Sequence, residues 1–505
     1  MPEAVIRLDL LLPIVLYFLI VSIGIGVVLA RRWARRALDF THAAMTLPWW
    51  LIATGVVLGP FGAGHTLSPA EASWVWGLIP TWWAIVGGTV SLSIAMFITG
   101  RWYRSMGVAT LAEAFERVFG STFRALVSTI TLLASLAICS LEFFASGAVL
   151  SAATGLDIAT CMIFVYIFFV VYVVLAGMMQ LALLNTIYLV TYYICVALAL
   201  YGWTLTVNKI GGWAAAVQNI YSVMGAKGVS LFVPGPILEL AIPIAILHAW
   251  YTSLVQGFMQ PILSARDVRE IIKGWPLVII CNSSATAPWV ITGLLALALP
   301  SWLYGPAASV IEQFRAMGPA GAVPAIITSI REVLWPVGAA GLLMTMFVAT
   351  LSTGAMFLFG AATAAVEDII VGLYEVKLTD RAKLWLTRGL ILAFGVLTGV
   401  VAAFFKPFLM AAFLWVFSWT TPLTVSLILG WTWRRNGKAA LWTCIITWIF
   451  QVLYTIFGDT ITVSWLVPPM GLAYVGTLVA LILYIVLTIA FKEETKEPAK
   501  QLIKT

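Results

Sequence analysis

Thirteen apolar stretches of roughly twenty residues each run through this 505-residue chain, and they leave it few folds to choose from. A helix rises about 1.5 Å per residue, so about 20 apolar residues cross the ~30 Å hydrocarbon layer of a bilayer. The stretches lie near residues 10–29, 46–65, 79–99, 126–150, 157–176, 184–205, 239–262, 276–299, 337–365, 387–405, 408–431, 439–457 and 468–490. In hydrocarbon every backbone polar group needs a partner within the protein, and for runs of this length that means helices. With 62% hydrophobic residues, 10% charged residues and 23 Trp, the chain has more apolar surface than a soluble core can bury. The expectation is an all-α polytopic protein embedded in the lipid bilayer.

Lys and Arg orient the spans. With the N-terminus outside, 22 of the 28 basic residues fall on the inner side. They are Arg31, Arg32, Arg35 and Arg36; Arg101, Arg104, Arg117 and Arg124; Arg266, Arg269 and Lys273; Lys377, Arg381, Lys383 and Arg388; Arg434, Arg435 and Lys438; and Lys492, Lys496, Lys500 and Lys504. Arg7, Lys209, Lys227, Arg315, Arg331 and Lys406 fall outside. The chain is therefore expected in the plasma membrane with a cytoplasmic C-terminus. The net charge of +7 reports this topology and calls for no nucleic-acid partner.

Cys139, Cys161, Cys195, Cys281 and Cys444 sit in apolar stretches without a CxxC pair, which suggests neither a disulfide framework nor a metal cluster. Glu3 and Asp9 flank the start of the first apolar run, and no small-residue cleavage site follows it, so it reads as a retained helix. The connections 206–238 and 300–336 suit short external lids over a cavity, and the tail from Lys492 is too short and polar to fold alone. A monomer is expected.

Two spans are interrupted. The second, LPWWLIATGVVLGPFGAGHT, carries Gly59, Pro60, Gly62 and Gly64 where the bilayer midplane falls. Proline removes a backbone donor and glycine lets the chain leave helical geometry, so carbonyls there need other partners. The seventh, LELAIPIAILHAWYTSLVQGFMQP, carries Pro243, the polar run His248 to Ser253, then Gln256, Gly257 and Pro261. Interrupted helices five spans apart are the sequence pointer to an inverted-repeat transporter with its site at the midplane.

Within the ninth span, ATLSTGAMFLFGAATAAVED places Thr350, Ser352, Thr353 and Thr363 on a backbone of small residues. Such residues serve close helix packing, or the hydroxyls serve an ion. Residues 349, 352 and 353 share one helical face. Three ionisable side chains lie deep: His65, Glu142 and His248. An intramembrane charge faces a cavity or a partner. Glu142 is open to three readings: binding a cationic substrate, moving a proton, or pairing with a neighbouring helix. Trp250, Tyr251 and Gln256 are candidates to line or gate the cavity, with packing as the alternative for the aromatic pair.

Residues 99–120, TGRWYRSMGVATLAEAFERVFG, resemble the cytoplasmic signature of the sodium:solute symporter family, with Arg101, Arg104, Gly107, Thr110, Glu113, Arg117, Phe119 and Gly120 in the matching places. The stretch 256–274 is similar to the family's exit from its sixth core helix through Gln260, Ala265, Arg266, Val268, Glu270, Lys273 and Gly274. Trp49–Trp50 and Gly62–His65 fit the first broken helix, especially in the sugar-transporting branch. The resemblance covers roughly residues 10 to 435. It implies a LeuT-like inverted five-helix repeat, with one helix before and two after. The segments are then 1–45, an extra helix and basic loop; 46–205, the first repeat; 206–238, an external loop; 239–435, the second repeat with its lid 300–336; 436–491, two further helices; and 492–505, the tail.

The resemblance also implies a sodium site formed by the carbonyls of Leu58, Phe61 and Ala349 and the hydroxyls of Ser352 and Thr353. Na⁺ is a hard cation that favours such oxygens. His65 stands where sugar-branch relatives contact substrate, and His65, Glu142, Trp250, Tyr251 and Gln256 are the substrate-site candidates. Many relatives carry an aspartate where this chain has Asn185, and hydroxyls of a second sodium site become Ala355 and Met356, which points to one coupled ion. The family's Asn on the broken helix is Pro60 here.

The function expected is sodium-coupled symport of a small neutral or zwitterionic organic solute, a sugar ahead of an amino acid, by alternating access. A proton-coupled cycle using Glu142 and His65 is the alternative. A membrane enzyme would need a convergent catalytic set such as HExxH, which the sequence lacks, and a transporter-like sensor would need an attached signalling domain.

Overall fold

A computed structural model describes residues 6–25, 27–28, 37–404 and 408–499, and among them the chain is helical with no strand. In chain order the main helices begin with α1 (Leu8–Ile25), the pair α2 (Trp49–Leu58) and α3 (Leu67–Trp76), α4 (Ile79–Ser105) and the short α5 (Leu111–Phe119). Next come α6 (Ser121–Thr154), α7 (Ile158–Val174), α8 (Gly177–Asn208), the pair α9 (Pro234–Leu254) and α10 (Gln256–Leu263), and α11 (Val268–Ala298). The last are α12 (Pro336–Leu373), α13 (Asp380–Phe404), the bent pair α14 (Leu409–Ser418) and α15 (Thr421–Thr432), α16 (Gly437–Ile456) and α17 (Leu472–Ala490). Among the described residues ten helices are long and apolar enough to cross a membrane, eleven if the bent pair counts as one span, and α2 and α7 are shorter apolar helices. Each of the thirteen expected stretches falls on one of these.

The boundaries differ from the sequence reading in three places, each with a local cause. The second span continues past its interruption as α3 to Trp76. The connector expected at 177–183 shrinks to Gly177, whose φ of 63° and ψ of −150° turn the chain between α7 and α8. A Cβ at that position would lie 2.4 Å from the Phe40 carbonyl oxygen, so only glycine suits both the angle and the space. Pro243 does not break the seventh span: a π-helical stretch, Ile237–Ala241, precedes it, and the helix continues to Tyr251. That chain leaves helical geometry only at 252–255, where a 3-10 turn leads to an extended Val255.

Helix α12 is the hub. Its most apolar window is wholly buried within the protein, and it packs against α1, α6, α8, α10 and α13. Its glycines permit this: a Cβ on Gly354 would fall 2.1 Å from the Phe169 ring, and one on Gly360 would fall 2.7 Å from the Gly257 backbone. Arg7, Lys209 and Arg331 line a surface pocket with Trp335 and Pro336 at the start of α12. At its far end Arg124 pairs with Glu116 at 2.7 Å and Asp368 at 3.4 Å, and Lys383 pairs with Glu367 at 3.0 Å. The two basic groups that the sequence assigns to opposite sides thus lie at opposite ends of one helix. Arg31, Arg32, Arg35, Arg36, Lys406, Lys500 and Lys504 lie outside the described residues.

At that far end the two broken helices are strapped together. Leu47, just before α2, exchanges backbone hydrogen bonds with Ser264 and Arg266 beyond α10, both 3.1 Å. The Trp49 amide donates to Glu270 at 2.8 Å, and Arg104 donates to the Ala265 carbonyl at 2.9 Å. Beside them buried His42 bonds the Ala109 carbonyl at 2.7 Å, and burial holds its pKa below the usual histidine value.

Candidate functional site

The interruption between α2 and α3 spans residues 59–66 and lies against α6 and α12. Pro60 has no amide proton to continue the helical ladder. The Gly62 amide, which a continuous helix would direct to the Leu58 carbonyl, donates instead to Thr353 Oγ1 at 2.8 Å. Thr353 Oγ1 in turn donates to the Leu58 carbonyl at 3.1 Å. One hydroxyl from α12 is thereby inserted into the broken ladder of α2. The next amide, Ala63, donates to Glu142 Oε2 at 2.7 Å. The His65 amide turns to Gly62 O at 3.1 Å rather than to Phe61 O, and among the described residues no amide outside regular helix bonds the Phe61 carbonyl.

The structure brings Leu58 and Thr353 into direct contact, with Phe61 on the same turn. Ser352, also on α12, donates to Asn185 Oδ1 at 2.7 Å, and Asn185 Nδ2 reaches Met356 Sδ at 3.6 Å. Asn185 therefore ties Ser352 and Met356 of α12 to α8. Ala349 is buried one turn before Thr353. The remaining hydroxyls of the stretch do other things. Thr350 bonds Ser146 at 2.6 Å and its own Met346 carbonyl at 2.9 Å, which is interhelical packing. Thr363 is buried ten residues beyond Thr353, and its Oγ1 has no partner among the described residues.

Beside this turn lies a narrow cavity lined by Pro60, Gly64, Trp83, Ile138, Glu142, His248, Phe258, Thr353, Phe357, Phe413 and Phe417. Glu142 is fully buried, and its second oxygen, Oε1, has no hydrogen-bond partner. The fit at Gly62 is close enough that a Cβ there would lie 2.2 Å from the Glu142 carboxylate. Trp83 anchors an aromatic wall, stacking on Phe417 at 5.4 Å and lying 4.8 Å from the His248 ring. Its indole nitrogen donates to His65 Nδ1 at 3.2 Å. His65 is thus held behind the wall, stacked on Phe61 at 5.3 Å, with Nε2 unpartnered.

The other sequence candidates separate. Tyr251 stacks on Phe417 at 3.8 Å without itself lining the cavity, its hydroxyl unpartnered. Trp250, its neighbour, is half-buried and does not line the cavity. Gln256 points away from it: the Leu111 amide donates to Gln256 Oε1 at 2.8 Å, and Gln256 Nε2 donates to Gln260 at 2.6 Å. That ties the start of α10 to α5. Trp83, Phe413 and Phe417 were not singled out from the sequence, because aromatic residues are common throughout this chain, with 23 Trp and 27 Phe.

Two helices broken five spans apart, with a third helix of each half crossing at the break, define an inverted-repeat secondary transporter. The sodium:solute symporter family matches residues 40–447, and the chain belongs to that family. It is a multi-pass membrane transporter, not an enzyme, and the family supports sodium-coupled transport. Among solved structures the chain is similar to a Na⁺-coupled sialic acid symporter in a substrate-bound outward-open state, with 14% identity, a TM-score of 0.75, and coverage of 96% of this chain and 98% of that one. It is also similar to MHP1, a nucleobase-cation-symport-1 family transporter in a closed conformation with bromovinylhydantoin bound, with 13% identity, a TM-score of 0.54 and coverage of 90% and 94%. MhsT in complex with L-phenylalanine matches with 13% identity, a TM-score of 0.52 and coverage of 86% and 97%. At these identities the likeness establishes the LeuT-like fold. No curated protein matches the sequence.

Proposed function

We propose that this protein couples inward movement of one Na⁺ to uptake of a small organic solute, neutral overall or zwitterionic, by alternating access. The ion sits at the unwound turn, between the carbonyls of Leu58 and Phe61 on one side and the Ala349 carbonyl and the Ser352 and Thr353 hydroxyls on the other. The single observation that carries this reading is the Thr353 hydroxyl lodged in the broken ladder, 3.1 Å from the Leu58 carbonyl. The Leu58 carbonyl accepts here from Thr353 and from the Phe61 amide at 3.2 Å; turning the threonine proton away would leave two adjacent hard oxygens for an alkali cation. Asn185 in place of a carboxylate, and Met356 in place of a hydroxyl, support a single ion.

The solute occupies the aromatic cavity beside the turn, so that ion and solute organise the same unwound segment. The repeats run over 46–205 and 239–435, the N-terminus faces outward, the C-terminus faces the cytoplasm of a plasma-membrane-resident monomer, and the strap at Leu47, Ser264 and Arg266 lies on the cytoplasmic side. Binding of radioactive sodium to the purified protein tests the ion assignment without knowledge of the solute. Ser352→Ala and Thr353→Ala each raise the sodium concentration for half-maximal binding, and Thr363→Ala does not. Three parental titrations would move the site elsewhere.

A further inference from the structure

We infer that the transported solute carries a protonated nitrogen, held by Glu142 Oε1 and by the aromatic walls of the central cavity. The inference rests on the cavity being the solute site, as proposed above. Glu142 is fully buried, one of its oxygens is committed to the Ala63 amide at 2.7 Å, and the other has no partner. An ionised carboxylate shut away from water with a free oxygen is costly unless a counter-charge or a donor meets it. The walls of the cavity contain no Lys or Arg among the described residues, so they offer no such charge.

The same walls are chemically suited to a cation. Trp83, Phe258, Phe357, Phe413 and Phe417 surround the space, and ring quadrupoles attract a desolvated cation. A sugar, by contrast, brings several hydroxyls that each need a polar partner on burial. Besides Glu142, the lining side chains that offer one are Thr353, already bonded to Gly62 and Leu58, Trp83, whose N–H is committed to His65, and His248. An ammonium donates one of its N–H groups to the free carboxylate oxygen, and its remaining charge faces the rings.

The test uses thermal stabilisation of the full-length protein in detergent, in sodium chloride and in potassium chloride, with solutes paired to differ in the nitrogen. The pairs are L-alanine against L-lactate and ethanolamine against ethylene glycol, with glucose as the nitrogen-free polyol. The expected result is stabilisation by nitrogen-bearing members in sodium only, with Glu142→Gln weakening their apparent affinity about tenfold or more. Equal stabilisation by glucose or ethylene glycol overturns the inference and leaves the sodium-symport reading standing. A lack of response to every nitrogen-bearing member also overturns it, while the ion assignment is judged separately by sodium binding. Loss of the sodium response in Glu142→Gln would assign the carboxylate to the ion, and uptake driven by a pH gradient but lost in Glu142→Gln would assign it to a proton; either result overturns the inference. The paired solutes test the unaltered chain, so the outcome does not depend on the variant folding.

Discussion

The two broken helices occupy corresponding places in the two halves of the chain, yet their breaks are satisfied differently. At the first, residues 59–66, consecutive amides reach distant side chains: Gly62 bonds Thr353, and Ala63 bonds Glu142. At the second, residues 252–255, the polar groups are absorbed by one neighbour, α4. Ser91 pairs with Thr252 at 2.6 Å, Thr99 donates to Ser253 at 2.8 Å, and Tyr103 reaches the Ser253 carbonyl at 3.4 Å. A break tied off by hydroxyls of an adjacent helix is a joint. A break whose amides reach a hydroxyl and a carboxylate of two other helices is the one proposed above to bind ion and solute. Duplicated architecture therefore supplies two places for unwound backbone, and side chains from other helices decide what each one does.

Four perturbations break or sharpen this contrast. The largest effect belongs to Gly62→Ala, whose Cβ would sit 2.2 Å from the Glu142 carboxylate and force the turn apart. It should cost about 3 kcal/mol of stability and abolish sodium binding, read by thermal unfolding and radioactive sodium. Next, Thr353→Ala should raise the sodium concentration for half-maximal binding about tenfold, a loss of about 1.4 kcal/mol. If the first break is only a joint, stability will fall and sodium affinity will hold.

Thr99→Ala, at the second break, should do the reverse, lowering stability by about 1 kcal/mol with sodium affinity unchanged. The smallest effect concerns His42 at the strap. Burial lowers its pKa despite the opposing influence of the Ala109 carbonyl and of Glu367 and Glu113, so the folded protein holds it neutral while the unfolded chain protonates near pH 6.5. Its contribution is complete above that value and declines as pH falls below it. Unfolding measured at pH 7.5 and 5.5 should reveal a loss of under about 1 kcal/mol that His42→Gln removes.

Much of the fold was legible in the sequence because its signals are local. Span length, the Lys and Arg clusters, and Pro60 among glycines each act within a few residues. The one-residue turn at Gly177 was not legible, since nothing local separates a connector of seven residues from a glycine with positive φ. The candidate site was legible in part. Thr353 and Leu58 were named from the resemblance and meet in the structure, 295 positions apart in the chain. Gln256 looked like a cavity residue because it follows the second break, but the chain turns as α10 begins and its amide faces α5.

By itself the sequence determined that this chain crosses a membrane many times as helices, breaks the second of them at Pro60 and its neighbouring glycines, and carries hydroxyls on one face of the ninth. Each follows from backbone chemistry and helical periodicity, which are properties of neighbouring residues. Only the tertiary structure decided that the Thr353 hydroxyl enters the broken ladder, that Ser352 is tied to Asn185, and that Glu142 presents one free oxygen to a wall of rings. Those outcomes depend on how α2, α6, α8 and α12 lie across one another. In lipid that arrangement is set by close packing of small residues and by the need to satisfy every freed backbone group, neither of which a single helix encodes.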